Sequence, residues 1–159
     1  MQVRKYTFSI CLLVLLGTIG DHDMSRAQQI PSPSYQAISD RFFNMLQKGD
    51  GSGAVEYVFG TNPAMQKVPD KVDQLKEQFS SFPSLAGSYI SHTLLAETNV
   101  AGMFVYQHYF VAYERQPISV RVKYYKPHAT WLCYGLEFDT DLDDHIQRTV
   151  DARIPIEMK

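Results

Sequence analysis

A change of rhythm near Gly87 constrains this chain more than any other feature. Upstream, apolar residues recur every three or four positions. Tyr35, Ile38, Phe42 and Leu46 form one stripe, widened by Phe43 and Met45. That spacing predicts an amphipathic helix, with Ser34 after Pro33 as its N-cap and Gly49 as its stop. Gly49 to Gly53 reads as a turn, and Ala54 to Phe59 as a short helix ended by Gly60 and broken by Thr61-Asn62-Pro63. Asp70 is placed to cap a third helix, in which Val72, Leu75, Phe79 and Phe82 make the buried stripe and Pro83 the end. Downstream of Gly87 the period falls to two and strand formers dominate. Tyr89 to Glu97, Met103 to Tyr113, Ile118 to Lys126 and Trp131 to Phe138 read as four strands. Their links carry turn residues and are short, so consecutive strands are antiparallel neighbours.

Register decides what such strands bury. A three-residue turn at Pro127-His128-Ala129 pairs Tyr124 with Leu132, Val122 with Tyr134, Val120 with Leu136 and Ile118 with Phe138. Every pair is apolar or aromatic, and Ser119, Arg121, Lys123, Cys133 and Glu137 then share the other face. The preceding hairpin stays open. Phe104, Tyr106, His108 and Phe110 suit the core side in one register, and Val105, Gln107, Tyr109 and Val111 in the other.

The first residues look removable. Arg4 and Lys5 precede an uncharged Leu-rich run from Tyr6 to Gly20, and Ser25-Arg26-Ala27 puts small residues where signal peptidase needs them. A spanning helix needs about 20 apolar residues, more than this run holds. Residues 1–27 are therefore expected to be a signal peptide and 28–33 a loose leader. Export to the periplasm or outside the cell follows, with no stable membrane anchor after cleavage. Cys133 is then the one cysteine left, so no internal disulfide forms and the core must stabilise the fold. The net charge is −2 and the cations are dispersed, which excludes nucleic acid as a partner.

Helices followed by antiparallel strands call for an α+β domain, with the helices packed on one face of the sheet. The long first helix running into Ala54 to Phe59, and Gly87-Ser88-Tyr89 opening the first strand, resemble the NTF2-like superfamily, also called cystatin-like or ketosteroid-isomerase-like. The nearest type is the small exported domain of bacterial hypothetical proteins. The resemblance implies a cone. Helices lie on the concave face of a curved antiparallel sheet of four or more strands, over residues 34–145, with 146–159 as a tail. Families of this fold use an open cone for isomerases, dehydratases or carriers, and the sheet for dimers or protein partners.

Candidate chemistry is sparse. An isomerase-like site needs a base in the cone opposed by a tyrosine. His108, Asp40 and Glu97 are possible bases, and Tyr57, Tyr106 and Tyr134 possible donors. None sits in a matching motif, and Asp40, flanking the apolar stripe of the first helix, reads better as a solvated helix charge. Phe42, Tyr57, Tyr106, His108 and Tyr134 are the expected lining of a ligand pocket. Tyr125 beside Trp131, flanked by Arg121 and Lys123, suits an interface, and a homodimer through the sheet is expected. Asp139, Asp141 and Asp143 begin like a calcium loop, but Asp144 and Val150 replace the glycine and glutamate such a loop needs. His92, His108, His128 and His145 are scattered, so neither metal nor cofactor is expected. The lack of a catalytic set points to a non-enzymatic domain binding a small apolar ligand or a protein. An isomerase- or dehydratase-like enzyme, or an accessory domain with a closed cone, are the alternatives.

Overall fold

The computed structural model describes residues 32–142. The expected signal peptide, most of the expected leader, Asp143, Asp144, His145 and the expected tail lie outside them. Three helices precede a four-stranded antiparallel meander in the order β1-β2-β3-β4. The elements are α1 (Tyr35–Gln47), α2 (Gly51–Gly60), a 3-10 turn (Pro63–Lys67), α3 (Pro69–Ala86), β1 (Tyr89–Val100), β2 (Phe104–Tyr113), β3 (Pro117–Tyr125) and β4 (Leu132–Asp139). The switch at Gly87 falls where expected, and Gly87 itself has φ +86, a conformation that favours glycine.

Local chemistry sets the ends. Ser34 Oγ accepts the Ala37 N–H and opens α1, a cap worth about 1 kcal/mol. α2 starts three residues before the expected Ala54, because Asp50 Oδ1 accepts the Gly53 N–H and turns the glycine-rich stretch into a first helical turn. Asn62, expected to break the chain, caps the 3-10 turn by accepting the Ala64 N–H. α3 does not stop at Pro83 but runs through it to Ala86. Pro83 supplies no N–H to the Phe79 carbonyl. That carbonyl faces α2, where a Cβ on Gly51 would meet its oxygen at 2.3 Å. Glycine is therefore what lets α2 cross α3 so closely.

The core lies between the helices and one face of the sheet. Ile38, Phe42, Phe43, Val55, Val58, Phe79 and Phe82 meet Val105, Val111, Ile118, Val120, Val122 and Tyr124 there, all nearly or fully buried. Burying each large side chain contributes about 1.5–3 kcal/mol. The β2 ambiguity resolves to Val105, Gln107, Tyr109 and Val111 on the core side. Phe104, Tyr106 and Phe110 point to the outer face and are half-buried.

The last hairpin departs from the expected register. Val120 pairs with Phe138 and Val122 with Leu136, two residues away from the expected partners. Lys123 pairs with Gly135, but Tyr124 pairs with Cys133, so Tyr134 is the extra residue of a β-bulge. The bulge flips parity. Cys133 is fully buried in the core rather than on the outer face, and Tyr134 is turned out, 56% exposed. A longer link than three residues and a bulge at a strand glycine together shift the pairing.

Candidate functional site

The cone is filled. Phe42, with no exposed surface, packs edge-on against Phe43 at 5.0 Å and Phe79 at 5.7 Å. Phe138 closes on Phe79 at 5.4 Å and on Phe82 at 4.9 Å. These rings occupy the space that the first stripe was expected to line, so Phe42 is core and not ligand lining. Tyr57 is half-buried on α2, with the Arg41 guanidinium 4.3 Å from its ring centre. Asp40 is exposed on α1.

Five polar side chains thread the side of this core towards the β1 rim. Ser39 Oγ donates to Gln107 Oε1 at 2.6 Å. A serine hydroxyl has one proton, so the 2.7 Å contact between Ser39 Oγ and the Tyr124 hydroxyl has tyrosine as donor. Gln107 Nε2 donates to Glu97 Oε2 at 2.8 Å, and the Tyr35 hydroxyl donates to Glu97 Oε1 at 2.9 Å. The chain runs Tyr124, Ser39, Gln107, and ends on a carboxylate that Tyr35 also serves. Burial raises the Tyr124 and Tyr35 pKa values, with the Glu97 hydrogen bond adding to the effect at Tyr35. Glu97 beside a tyrosine hydroxyl is the pairing an isomerase would use. Here both its oxygens accept protein hydrogen bonds, and the cone behind it is packed, so the arrangement braces α1 against β1 and β2.

His92 makes a second brace on β1. Its ring stacks on Phe43 at 4.0 Å, and its Nδ1 hydrogen-bonds the Tyr89 hydroxyl. Burial lowers its pKa, and Asp40 partly opposes the shift.

The residues expected to line a cone pocket do not converge. Tyr106 and His108 point to the outer face, because Gln107 and Tyr109 take the core side of β2. His108 Nε2 hydrogen-bonds Ser119 Oγ at 2.7 Å. Tyr134, turned out by the bulge, lies edge-on to Phe104 at 6.2 Å. The Tyr125–Trp131 pair is not formed. Trp131 turns to the helix side and meets the Tyr35 ring at 5.0 Å, while Tyr125 stays 42% exposed on the sheet. Arg121 and Lys123 share the outer face and both pair with Glu137. Burial lifts the Cys133 thiol to about 12, which keeps it protonated. Among the described residues no group of three or more His, Cys, Asp or Glu side chains is placed to hold a metal ion. No described helix is long and apolar enough to cross a membrane.

An apolar concavity among the described residues lies outside this core. A groove of about 500 Å³ runs between β4 and the helical layer, lined by Phe59, Met65, Val68, Val72 and Leu75 opposite Tyr134, Gly135 and Leu136, with Lys71 and Glu137 at its rim. A second hollow of about 260 Å³ adjoins it, sharing Phe59, Met65 and Val72. Asn62 and Thr61 anchor this end of the helical layer to β4. The Asn62 amide donates to the Cys133 carbonyl at 2.9 Å, and Thr61 Oγ1 accepts the Cys133 N–H at 2.8 Å. Of these lining residues the sequence offered Tyr134 alone. Val72 and Leu75 were read as core, yet they are half-buried where Phe79 and Phe82 of the same stripe are fully buried.

Helices on one face of a four-stranded antiparallel meander define an α+β domain. No family model matches the sequence, and no curated protein matches it. A crystal structure from Campylobacter jejuni, provisionally named an NTF2-like transpeptidase, is similar at 16% identity over 64% of this chain and 97% of that one, with a TM-score of 0.49.

Proposed function

We propose that this is an exported, non-enzymatic binding domain whose ligand site is the groove along β4 and not the cone. The carrying observation is the contrast between a cone packed with phenylalanine rings and an apolar groove of about 500 Å³ beside it. That volume falls within the roughly 300–1,000 Å³ of small-molecule sites, and the lining is apolar with few polar groups, as such sites are. Methyl NMR of the full chain titrated with 1-naphthol tests the reading. Shifts should concentrate at Val68, Val72, Leu75 and Leu136. Shifts centred on Ile38, Val55, Val105 and Val122 would place the ligand in the cone and overturn it.

One observation favours a second role, self-association. Every residue of β1 from Ile90 to Val100 is exposed, and the strand presents Ile90, Leu94, Leu95 and Val100 along a sheet edge that no other described strand pairs, with no Lys or Pro in it. This moves the proposed homodimer from the Tyr125 face to the β1 edge. Light scattering that returns a monomer throughout the micromolar range would remove this role.

A further inference from the structure

We infer that the β4 groove selects a single-chain amphiphile with one anionic headgroup, laying its tail on the apolar floor and its charge against Lys71. The inference rests on the groove being the ligand site and adds the chemistry of the ligand. Four charged side chains line the groove and its adjoining hollow: Glu56, Asp73, Lys71 and Glu137. In the adjoining hollow two carboxylates share one cation, whereas the carboxylate of the groove itself takes two. Glu56 and Asp73 share Lys76, at 3.6 and 3.4 Å. Glu137 takes both Arg121 and Lys123 on the outer face of the sheet. Among the described residues Lys71 takes part in no ion pair, so the groove presents one uncompensated positive charge over an apolar surface. A cationic ligand in the groove would find Glu137 already paired and Lys71 opposed to it. A neutral one would gain the floor but leave the ammonium without a counter-charge. An anionic headgroup gains both.

The two hollows share Phe59, Met65 and Val72, so the apolar surface beside Lys71 extends beyond the groove alone. A flexible unbranched chain can follow such a surface by bond rotation, which a fused ring system cannot. The exposed Tyr134 ring forms the outer wall, and it stands there because the bulge pushes it out of the ladder.

The test compares three ligands of one chain length, below micelle formation: dodecanoate, dodecanol and dodecyltrimethylammonium. Calorimetry with the full chain should rank them in that order. Dodecanoate should exceed dodecanol by about tenfold, the scale of one hydrogen bond to a charged group. Lys71→Gln should bring dodecanoate down to the dodecanol value and leave dodecanol unchanged. Val72→Asp, checked for native circular dichroism, should abolish binding of all three. If the ammonium compound binds as well as dodecanoate, or Lys71→Gln has no effect, the headgroup inference fails while the groove reading stands. If no ligand binds, or Val72→Asp leaves binding intact, the groove reading itself fails.

Discussion

Replacing Ser39 by alanine is the sharpest probe of the polar chain inside this fold. Ser39 is 1% exposed, Gln107 1%, and Tyr124 fully buried, so water cannot replace a lost partner. Ser39 accepts from Tyr124 and donates to Gln107. Ser39→Ala therefore strands two buried groups at once, the Tyr124 hydroxyl and Gln107 Oε1. Each stranded group costs about 1–3 kcal/mol, so a total loss of about 3 kcal/mol is expected. Tyr124→Phe removes a donor but leaves Ser39 still donating to Gln107, so it should cost about 1 kcal/mol. The double variant strands only Gln107 Oε1. It should be less damaging than the sum of the single changes, with a coupling of about 1 kcal/mol. Urea unfolding at neutral pH, with unchanged m-values, measures all three. Equal losses for the two single variants, or simple additivity, would show that Ser39 is not the hub.

Two further perturbations test other parts of the structure. Gly51→Ala places a Cβ 2.3 Å from the Phe79 carbonyl oxygen and should destabilise by about 2 kcal/mol or more, whereas Gly60→Ala, with nothing within 4 Å, should stabilise by up to about 1 kcal/mol; thermal melts of the two variants should move in opposite directions. His92 has a pKa below its ordinary 6.5 in the folded state, so folding favours the neutral ring; its contribution is complete above that value and is lost as pH falls through the lowered one. Urea midpoints of wild type should therefore drop more steeply between pH 7.5 and 5.5 than those of His92→Gln, and parallel curves would count against the brace.

The helix–strand division was legible because periodicity is a property of each segment alone. The stripe Tyr35, Ile38, Phe42 and Leu46 and the cap Ser34 specify α1 without reference to anything else, and all four stripe residues are buried. Misreadings came where partners decide. Ser39 and Gln107 look like polar interruptions of apolar faces, and only the facing strand shows that they satisfy one another. Gly51 and Gly53 read as a turn because the Asp50 cap and the close crossing of α3 are not local composition. The β3–β4 register was chosen to pair every apolar residue, a rule that a bulge breaks by design of the ladder and not of the side chains. The groove was the least legible feature. It exists because Val72 and Leu75 of α3 are left uncovered beside β4, and no pattern within α3 distinguishes them from Phe79 and Phe82.

The bulge at Tyr134 has a consequence for how this chain can vary. Without that residue, Cys133 would face inward, Gly135 outward and Leu136 inward, which is the unbroken alternation of an ordinary strand. The ring that the bulge turns out therefore belongs to the outer surface and not to the core. Removing Tyr134 would leave the packed rings of Phe42, Phe79, Phe82 and Phe138 in place and take away only an aromatic flank beside Phe104.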